Sequence, residues 1–239
     1  MQYKAVVFDA YGTLFNVYAI QALAENTFKG QGANIAALWR DKQIEYTRLI
    51  TQSDPHNPAG SQYYLPFRVI TERALEFALK RLKLSYDSSH VSALMAQYDE
   101  LTAFPENLGV LQKIKSAGLT TAILSNGSPD MLASAVQSAG MVDYLDHVLS
   151  VDAVKQFKTS PESYALVEKI FLKHGMVIHK NDVLFVSSNA WDIVGASWFG
   201  FQTFWVNRQD LPFETIGNQP DFSGATLKDV LTVLNISND

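Results

Sequence analysis

Hydrophobic spacing divides this chain into an N-terminal part that is mainly helical and a remainder in which helices and strands alternate. The apolar run Ala5–Phe8, rich in β-branched and aromatic residues, is typical of a buried strand. From about residue 17 to 98, apolar residues recur at spacings of three and four, most regularly over 35–50 and 69–82, which predicts helices. A cluster of turn-forming residues at 53–60 predicts the connection between two of these helices.

After Pro105 the pattern changes to alternating helix and strand. Helices are predicted over 107–117, 129–139, 161–174 and 193–199, and strands over 120–124, 183–186 and 203–206, with a short apolar piece near 147–151. This alternation is typical of a parallel sheet with helices on both faces. We therefore predict an α/β fold built on a doubly wound parallel sheet.

Polar residues follow three of the predicted strands directly. Asp9 ends the first, Ser125 and Asn126 follow the next, and a third group begins at Ser187. Because the carboxyl ends of parallel strands meet at one edge of a sheet, we expect these groups to form a site. The helical segment inserted after the first strand is expected to close over that edge as a cap, which gives a core domain of residues 1–15 and 99–239 and a cap domain of residues 16–98.

Composition narrows the classes of function. The 239 residues carry a formal net charge of −5 without a basic cluster, so nucleic acid is not an expected partner. The absence of cysteine excludes disulfides, thiolate metal sites and a cysteine nucleophile. No leader pattern and no run of about 20 apolar residues is found, so we expect a cytoplasmic protein without a membrane partner.

The segment 8–15, which reads Phe-Asp-Ala-Tyr-Gly-Thr-Leu-Phe, resembles the nucleophile motif of the haloacid dehalogenase superfamily. The other elements of that superfamily follow in the expected order: Ser125 after the second strand, Lys158 before a helix, and the segment 187–192 after a later strand. The resemblance covers essentially the whole chain, including the early helical insertion. It implies the Rossmann-type core and helical cap of that superfamily.

The resemblance implies that Asp9 is a carboxylate nucleophile, which forms a covalent ester and divides one difficult displacement into two easier steps. It also implies that Thr13 donates a hydrogen bond to Asp9. The alternatives are a capping or solvated loop carboxylate for Asp9 and simple turn packing for Thr13.

The residue two positions after the nucleophile separates branches of the superfamily. Phosphatases of the superfamily carry a second aspartate there as general acid, whereas this chain has Tyr11. They also bind magnesium through acids in the segment where this chain keeps only Asp192. Both departures favour the L-2-haloacid dehalogenase family, which needs neither a metal nor another cofactor, because a halide leaves without a proton donor.

The same family implies a halide and substrate pocket. Arg40 and Asn126 match the two donors that solvate the departing halide, and Phe67 matches an aromatic residue that lines the halide pocket. The rest of the predicted substrate-binding group is Tyr11, Ser125 as a donor to the substrate carboxylate, and Trp191. The alternatives are a solvated surface charge for Arg40 and structural packing for Phe67 and Trp191.

Lys158 is implied to lie beside Asp9, where it keeps the carboxylate ionised and stabilises negative charge on the substrate or the intermediate. Tyr164 is implied to support this pair, with packing within a helix as its alternative. The remaining predicted catalytic residues orient Lys158 or the hydrolytic water, with plain strand-end hydrogen bonding as their alternative: Ser187, Asn189 and Asp192.

These expectations combine into one predicted reaction, the hydrolysis of L-2-haloalkanoic acids to D-2-hydroxy acids with inversion, without metal. The predicted partners are a small 2-haloacid substrate and halide, and the family leads us to expect a homodimer. Two alternatives stay open: a magnesium-dependent phosphatase acting on small phosphate esters, and a non-catalytic protein that binds small carboxylates.

Overall fold

A six-stranded parallel sheet lies at the centre of the computed structural model, which describes residues 3–237. Its strand order is β3-β2-β1-β4-β5-β6. The strands are β1 (Ala5–Phe8), β2 (Thr120–Ser125), β3 (His147–Ser150), β4 (Val183–Ser187), β5 (Gln202–Val206) and β6 (Phe222–Gly224). The predicted α/β class is confirmed.

The chain enters at the middle of the sheet, because β1 pairs with β2 on one side and with β4 on the other. Phe8 is in register with both Ile123 and Val186, so these three strands end at nearly the same level. All residues of β1 are fully buried, since helices cover both faces of a parallel sheet. The strand order reverses beside β1, and ligands bind at such a point in open α/β sheets.

Helices fill most of the intervals between the strands. The interval between β1 and β2 contains α1 (Tyr18–Thr27), α2 (Gly32–Ser53), α3 (Phe67–Arg81) and α4 (Ser88–Ala96), followed by α5 (Asn107–Ser116). The later helices are α6 (Pro129–Ser138), α7 (Pro161–Lys173), α8 (Ala190–Phe199) and α9 (Asp229–Val233). We call α1–α4 with their connections the helical insertion; its assignment to a separate cap domain, residues 16–98, stays a prediction.

Three differences from the sequence prediction concern the edge of the sheet or the surroundings of the predicted site. The last strand is β6, Phe222–Gly224, which is exposed and short and therefore lacks the apolar run expected of a buried strand. Helix α2 continues through Ser53 into the predicted turn cluster. Helix α8 begins at Ala190, so Asp192 lies in its first turn, where a carboxylate is favoured by the helix dipole. Within residues 3–237 no helix has the length and apolar character needed to cross a membrane.

Candidate active site

The polar residues that follow β1, β2 and β4 converge at one edge of the sheet, as their register requires. Asp9 lies there beside Asn189, whose Nδ2 donates to Asp9 Oδ2 over 2.8 Å. Ser125 and Asn126, at the end of β2, border the same cavity as Asp9. The polar residues at the ends of these three strands therefore lie close together, as expected.

A buried lysine links two buried carboxylates at the centre of this site. Lys158 Nζ lies 3.0 Å from Asp9 Oδ1 and 2.8 Å from Asp192 Oδ2. Only 2% of Lys158, 6% of Asp9 and none of Asp192 is exposed, so water screens these charges weakly. Tyr164 donates from its hydroxyl to Asp192 Oδ1 over 2.7 Å. One positive charge thus balances two negative charges in a nearly dry environment.

The charges of this group shift one another's protonation. Burial opposes the positive charge of Lys158, but the attraction of Asp192 and Asp9 outweighs burial and raises the pKa of Lys158. Burial raises the pKa of Asp192 to about 6; Lys158 opposes this rise and Asp9 adds to it. Burial and then Asp192 raise the pKa of the Tyr164 hydroxyl. Lys158 is therefore a stable cation, whereas Asp192 takes up a proton as the pH falls through about 6.

Both oxygens of Asp9 are held by donors. Thr13 Oγ1 donates to Asp9 Oδ2 over 3.1 Å, and Lys158 holds Oδ1. The backbone N–H of Ser188 in turn donates to Thr13 Oγ1 over 2.8 Å, which fixes the threonine hydroxyl. A carboxylate held at both oxygens has little rotational freedom, so its direction of attack is set before a substrate arrives.

A small cavity of about 20 Å³ lies against Asp9, which is the space for about one water molecule. Every predicted substrate-binding residue lines it: Tyr11, Arg40, Phe67, Ser125, Asn126 and Trp191. Arg40 reaches it from α2 and donates to Asn189 Oδ1 over 3.0 Å. The Tyr11 hydroxyl is buried without a hydrogen-bond partner among the described residues. The cavity therefore presents donors to a small anion.

Two predicted residues make contacts that differ from the simplest expectation. Asn126 Oδ1 accepts from the backbone N–H of Lys158 over 2.9 Å, so the amide supports the lysine and keeps its N–H donors for a ligand. Ser187 is fully buried, and its hydroxyl accepts from the backbone N–H of Asn189 over 3.1 Å. The Ser187 hydroxyl therefore holds the segment that carries Asn189. Any effect of Ser187 on Lys158 or on water would act through that segment.

Sequence reasoning missed several residues at this site. Gln43 and Thr47 line the cavity from the same face of α2 as Arg40. Gln43 is 1% exposed and donates to Thr71 Oγ1 over 3.0 Å and to the Tyr98 hydroxyl over 3.1 Å. Their helical spacing from Arg40, at i+3 and i+7, is the signal that identifies them.

A wider groove of about 560 Å³ adjoins the small cavity, and Tyr11, Arg40, Ile44 and Trp191 line both. The groove lies along α1 and α2 and reaches the segment after β5, at Asn207 and Arg208. It therefore offers a route from solvent to the residues around Asp9.

A model of the haloacid dehalogenase-like hydrolases matches residues 3–200. The chain belongs to this hydrolase family. It is 40% identical over 228 residues to "(S)-2-haloacid dehalogenase" of Pseudomonas sp. (strain YL), a match that covers 95% of this chain and 93% of that relative. The family assignment predicted from the 8–15 motif is thus confirmed.

Solved structures of haloacid dehalogenases share the fold of this family member. A crystal structure of an L-2-haloacid dehalogenase is 46% identical, with a TM-score of 0.92 and coverage of 98% of this chain and 100% of that one. The enzyme from Xanthobacter autotrophicus, solved with chloropropionic acid covalently bound, is 36% identical, with a TM-score of 0.85 and coverage of 98% of each chain. The predicted core architecture therefore agrees with that of characterised relatives.

Proposed function

We propose that this hydrolase converts L-2-haloalkanoic acids to D-2-hydroxy acids through a covalent ester on Asp9, without a metal ion. The observation that carries the proposal is the Asp9 carboxylate, held by Thr13, Asn189 and Lys158 against a cavity lined with donors. Its relatives of similar length are haloacid dehalogenases, which supports the same chemical class.

In the first step an Asp9 oxygen attacks C2 of the substrate from the side opposite the halogen. The new C–O bond forms as the carbon–halogen bond breaks, and the halide leaves with the electron pair, so the configuration at C2 inverts. Arg40 and Asn126 solvate the emerging halide, while Ser125 and Lys158 hold the substrate carboxylate. The relative with covalently bound chloropropionic acid supports such an intermediate.

In the second step water attacks the side-chain carboxyl carbon of the Asp9 ester. The bond from that carbon to the alkyl oxygen breaks, and the alkyl oxygen takes the proton that remains on the added hydroxyl group, which releases the hydroxy acid and restores the Asp9 carboxylate. Asp192, whose pKa lies near 6, takes up the proton that the water loses, and Asn189 orients the water. Lys158 stabilises the negative charge that develops on the carboxyl oxygen.

The residues at this site do not fit a magnesium ion. Magnesium requires nearly octahedral oxygen ligands, supplied in part by carboxylates. Here the ammonium group of Lys158 lies within hydrogen-bond distance of both Asp9 and Asp192, in the position that a bridging cation would need. Tyr11 stands where a phosphatase carries its second aspartate. We therefore propose a reaction in which no step uses a metal ion.

The direct test is halide release from the separate enantiomers of 2-chloropropionate, with and without EDTA. We expect chloride from the L-enantiomer alone and no effect of the chelator. The D-enantiomer is the matched control, because it differs only in configuration at the carbon that Asp9 attacks. Phosphate release from p-nitrophenyl phosphate with magnesium, without any chloride release, would contradict the proposal and favour the phosphatase alternative.

A further inference from the structure

The loop that carries Lys158 packs on the helical insertion as well as on the core. We call residues 152–158 the lysine loop and residues 51–64 the docking segment, which comprises the end of α2 and the connection towards α3. The backbone N–H of Phe157, next to Lys158, donates to Thr51 Oγ1 over 2.9 Å. Gln156 Nε2 donates to the Asp54 carbonyl over 2.9 Å. The two residues before Lys158 are thus bonded to the insertion.

Side-chain contacts from Tyr64 reinforce this packing. Its ring stacks on Phe157 with 4.9 Å between ring centroids and 24° between planes. Its hydroxyl donates to Asp152, and burial together with that carboxylate raises the pKa of the Tyr64 hydroxyl. Tyr64 therefore contacts the lysine loop near both of its ends.

The two backbones also meet directly. Ser61 N–H donates to the Lys155 carbonyl over 3.0 Å. A Cβ atom at Gly60 would lie 2.4 Å from Lys155 Cβ and 2.5 Å from the Val154 oxygen, and Gly60 has φ +86°. Only glycine satisfies both the close approach and the left-handed backbone at this point. The turn cluster at 53–60 thus ends in a glycine that lets the docking segment contact the backbone of the lysine loop.

On its other side the lysine loop is fixed to the core by Lys158 itself. Lys158 N–H donates to Asn126 Oδ1 over 2.9 Å, and Lys158 Nζ binds Asp9 and Asp192. The loop therefore lies between two surfaces, and neither set of contacts alone defines its path. Phe157, which is bonded to the docking segment, directly precedes Lys158 in the chain.

We propose that the docking segment positions Lys158 for the reaction, with Thr51 and Tyr64 as positioning residues. The inference rests on the proposed function, in which Lys158 acts on the Asp9 ester and the substrate carboxylate. An ammonium group that must lie within hydrogen-bond distance of two buried carboxylates tolerates little movement. Displacements of about 1 Å in such groups lower turnover by about a hundredfold.

The test compares two variants of Thr51. Thr51→Val removes the hydroxyl that accepts from the Phe157 N–H, at nearly constant side-chain volume, whereas Thr51→Ser keeps that hydroxyl. The matched control is Thr27→Val, because Thr27 is also half-buried and its hydroxyl also makes one hydrogen bond to the backbone, here the Leu23 carbonyl. We expect kcat for L-2-chloropropionate to fall about ten- to a hundredfold in Thr51→Val. Thr51→Ser and Thr27→Val are expected to keep most of the wild-type kcat.

Melting temperatures separate positioning from general destabilisation. The inference predicts that Thr51→Val and Thr27→Val both stay folded at the assay temperature, with the loss of kcat confined to the former. Equal kcat in these two variants would overturn it. Should Thr51→Val fail to fold, Tyr64→Phe provides the test, since it removes only the hydroxyl that binds Asp152; a kcat of wild-type size in Tyr64→Phe would then overturn the inference. Absence of halide release from the wild-type enzyme would instead refute the proposed function.

Discussion

Asparagine in place of Asp9 is expected to lower the turnover of L-2-chloropropionate by about 10⁴-fold or more, which is the size of effect seen when a nucleophile is removed. An amide lacks the negative charge needed to displace a halide from carbon. The fold is expected to persist, because asparagine keeps the size of the side chain and Lys158 retains Asp192 as a partner at 2.8 Å. The measurement is halide release, with the melting temperature as a check on folding.

Asp143→Asn is the matched control for this variant, because it makes the same change in charge at an exposed residue of the surface. It is expected to retain wild-type turnover. Halide release by Asp9→Asn at more than about a hundredth of the wild-type rate would show that Asp9 is not the nucleophile.

Replacing Lys158 with methionine is expected to cause the second large effect, on both stability and turnover. It leaves two carboxylates buried without their shared cation, and removing one partner of a buried ion pair costs about 3–5 kcal/mol of unfolding free energy. Turnover is expected to fall about 10²- to 10³-fold, because the charge that stabilises the intermediate is lost. Chemical denaturation and halide release measure the two effects.

The destabilisation caused by Lys158→Met should depend on pH in a defined direction. Lys158 lowers the pKa of Asp192, which is about 6 in the wild type, so in Lys158→Met that pKa lies higher and the variant takes up a proton at higher pH than the wild type. The difference in unfolding free energy between wild type and variant therefore shrinks as the pH falls towards about 6. A difference that instead grows on acidification would contradict this electrostatic role.

Lys4→Met supplies the control for this prediction. Lys4 also forms an ion pair with a carboxylate, Asp182, at 2.9 Å, but 51% of its side chain is exposed. Such surface pairs contribute about 1 kcal/mol or less. A loss of stability in Lys4→Met as large as that in Lys158→Met would show that burial is not the source of the effect.

Much of the site follows from the sequence because its residues directly adjoin buried strands. Once Ala5–Phe8 is recognised as a central parallel strand, topology alone brings Asp9, Asn126 and Asn189 to one edge. The motif at 8–15 then identifies the family, and the family implies Lys158 and Arg40 as partners of that edge. These predictions depend on order along the chain, which the sequence shows directly.

The contacts that the sequence did not predict depend on tertiary packing between distant segments. The turn cluster at 53–60 indicates a connection between helices, but no pattern indicates that Gly60 meets Lys155 backbone to backbone. Strand β6 was missed because an exposed edge strand carries no hydrophobic alternation. The family resemblance implies that Ser187 orients Lys158 or water, and this role stays a prediction; the contact that its hydroxyl makes, as acceptor from the Asn189 backbone N–H, depends on the path of the chain after β4.

The most direct test of the covalent ester is a single turnover in water enriched in oxygen-18, with enzyme in excess over L-2-chloropropionate. Mass spectrometry of the digested protein and of the product then locates the heavy oxygen. If the ester forms, oxygen-18 is expected in the Asp9 carboxylate and ordinary oxygen in the new hydroxyl group of the product, because the product takes its oxygen from Asp9. Oxygen-18 in the product hydroxyl, with none in Asp9, would show that water attacks the substrate directly and that no ester forms on Asp9.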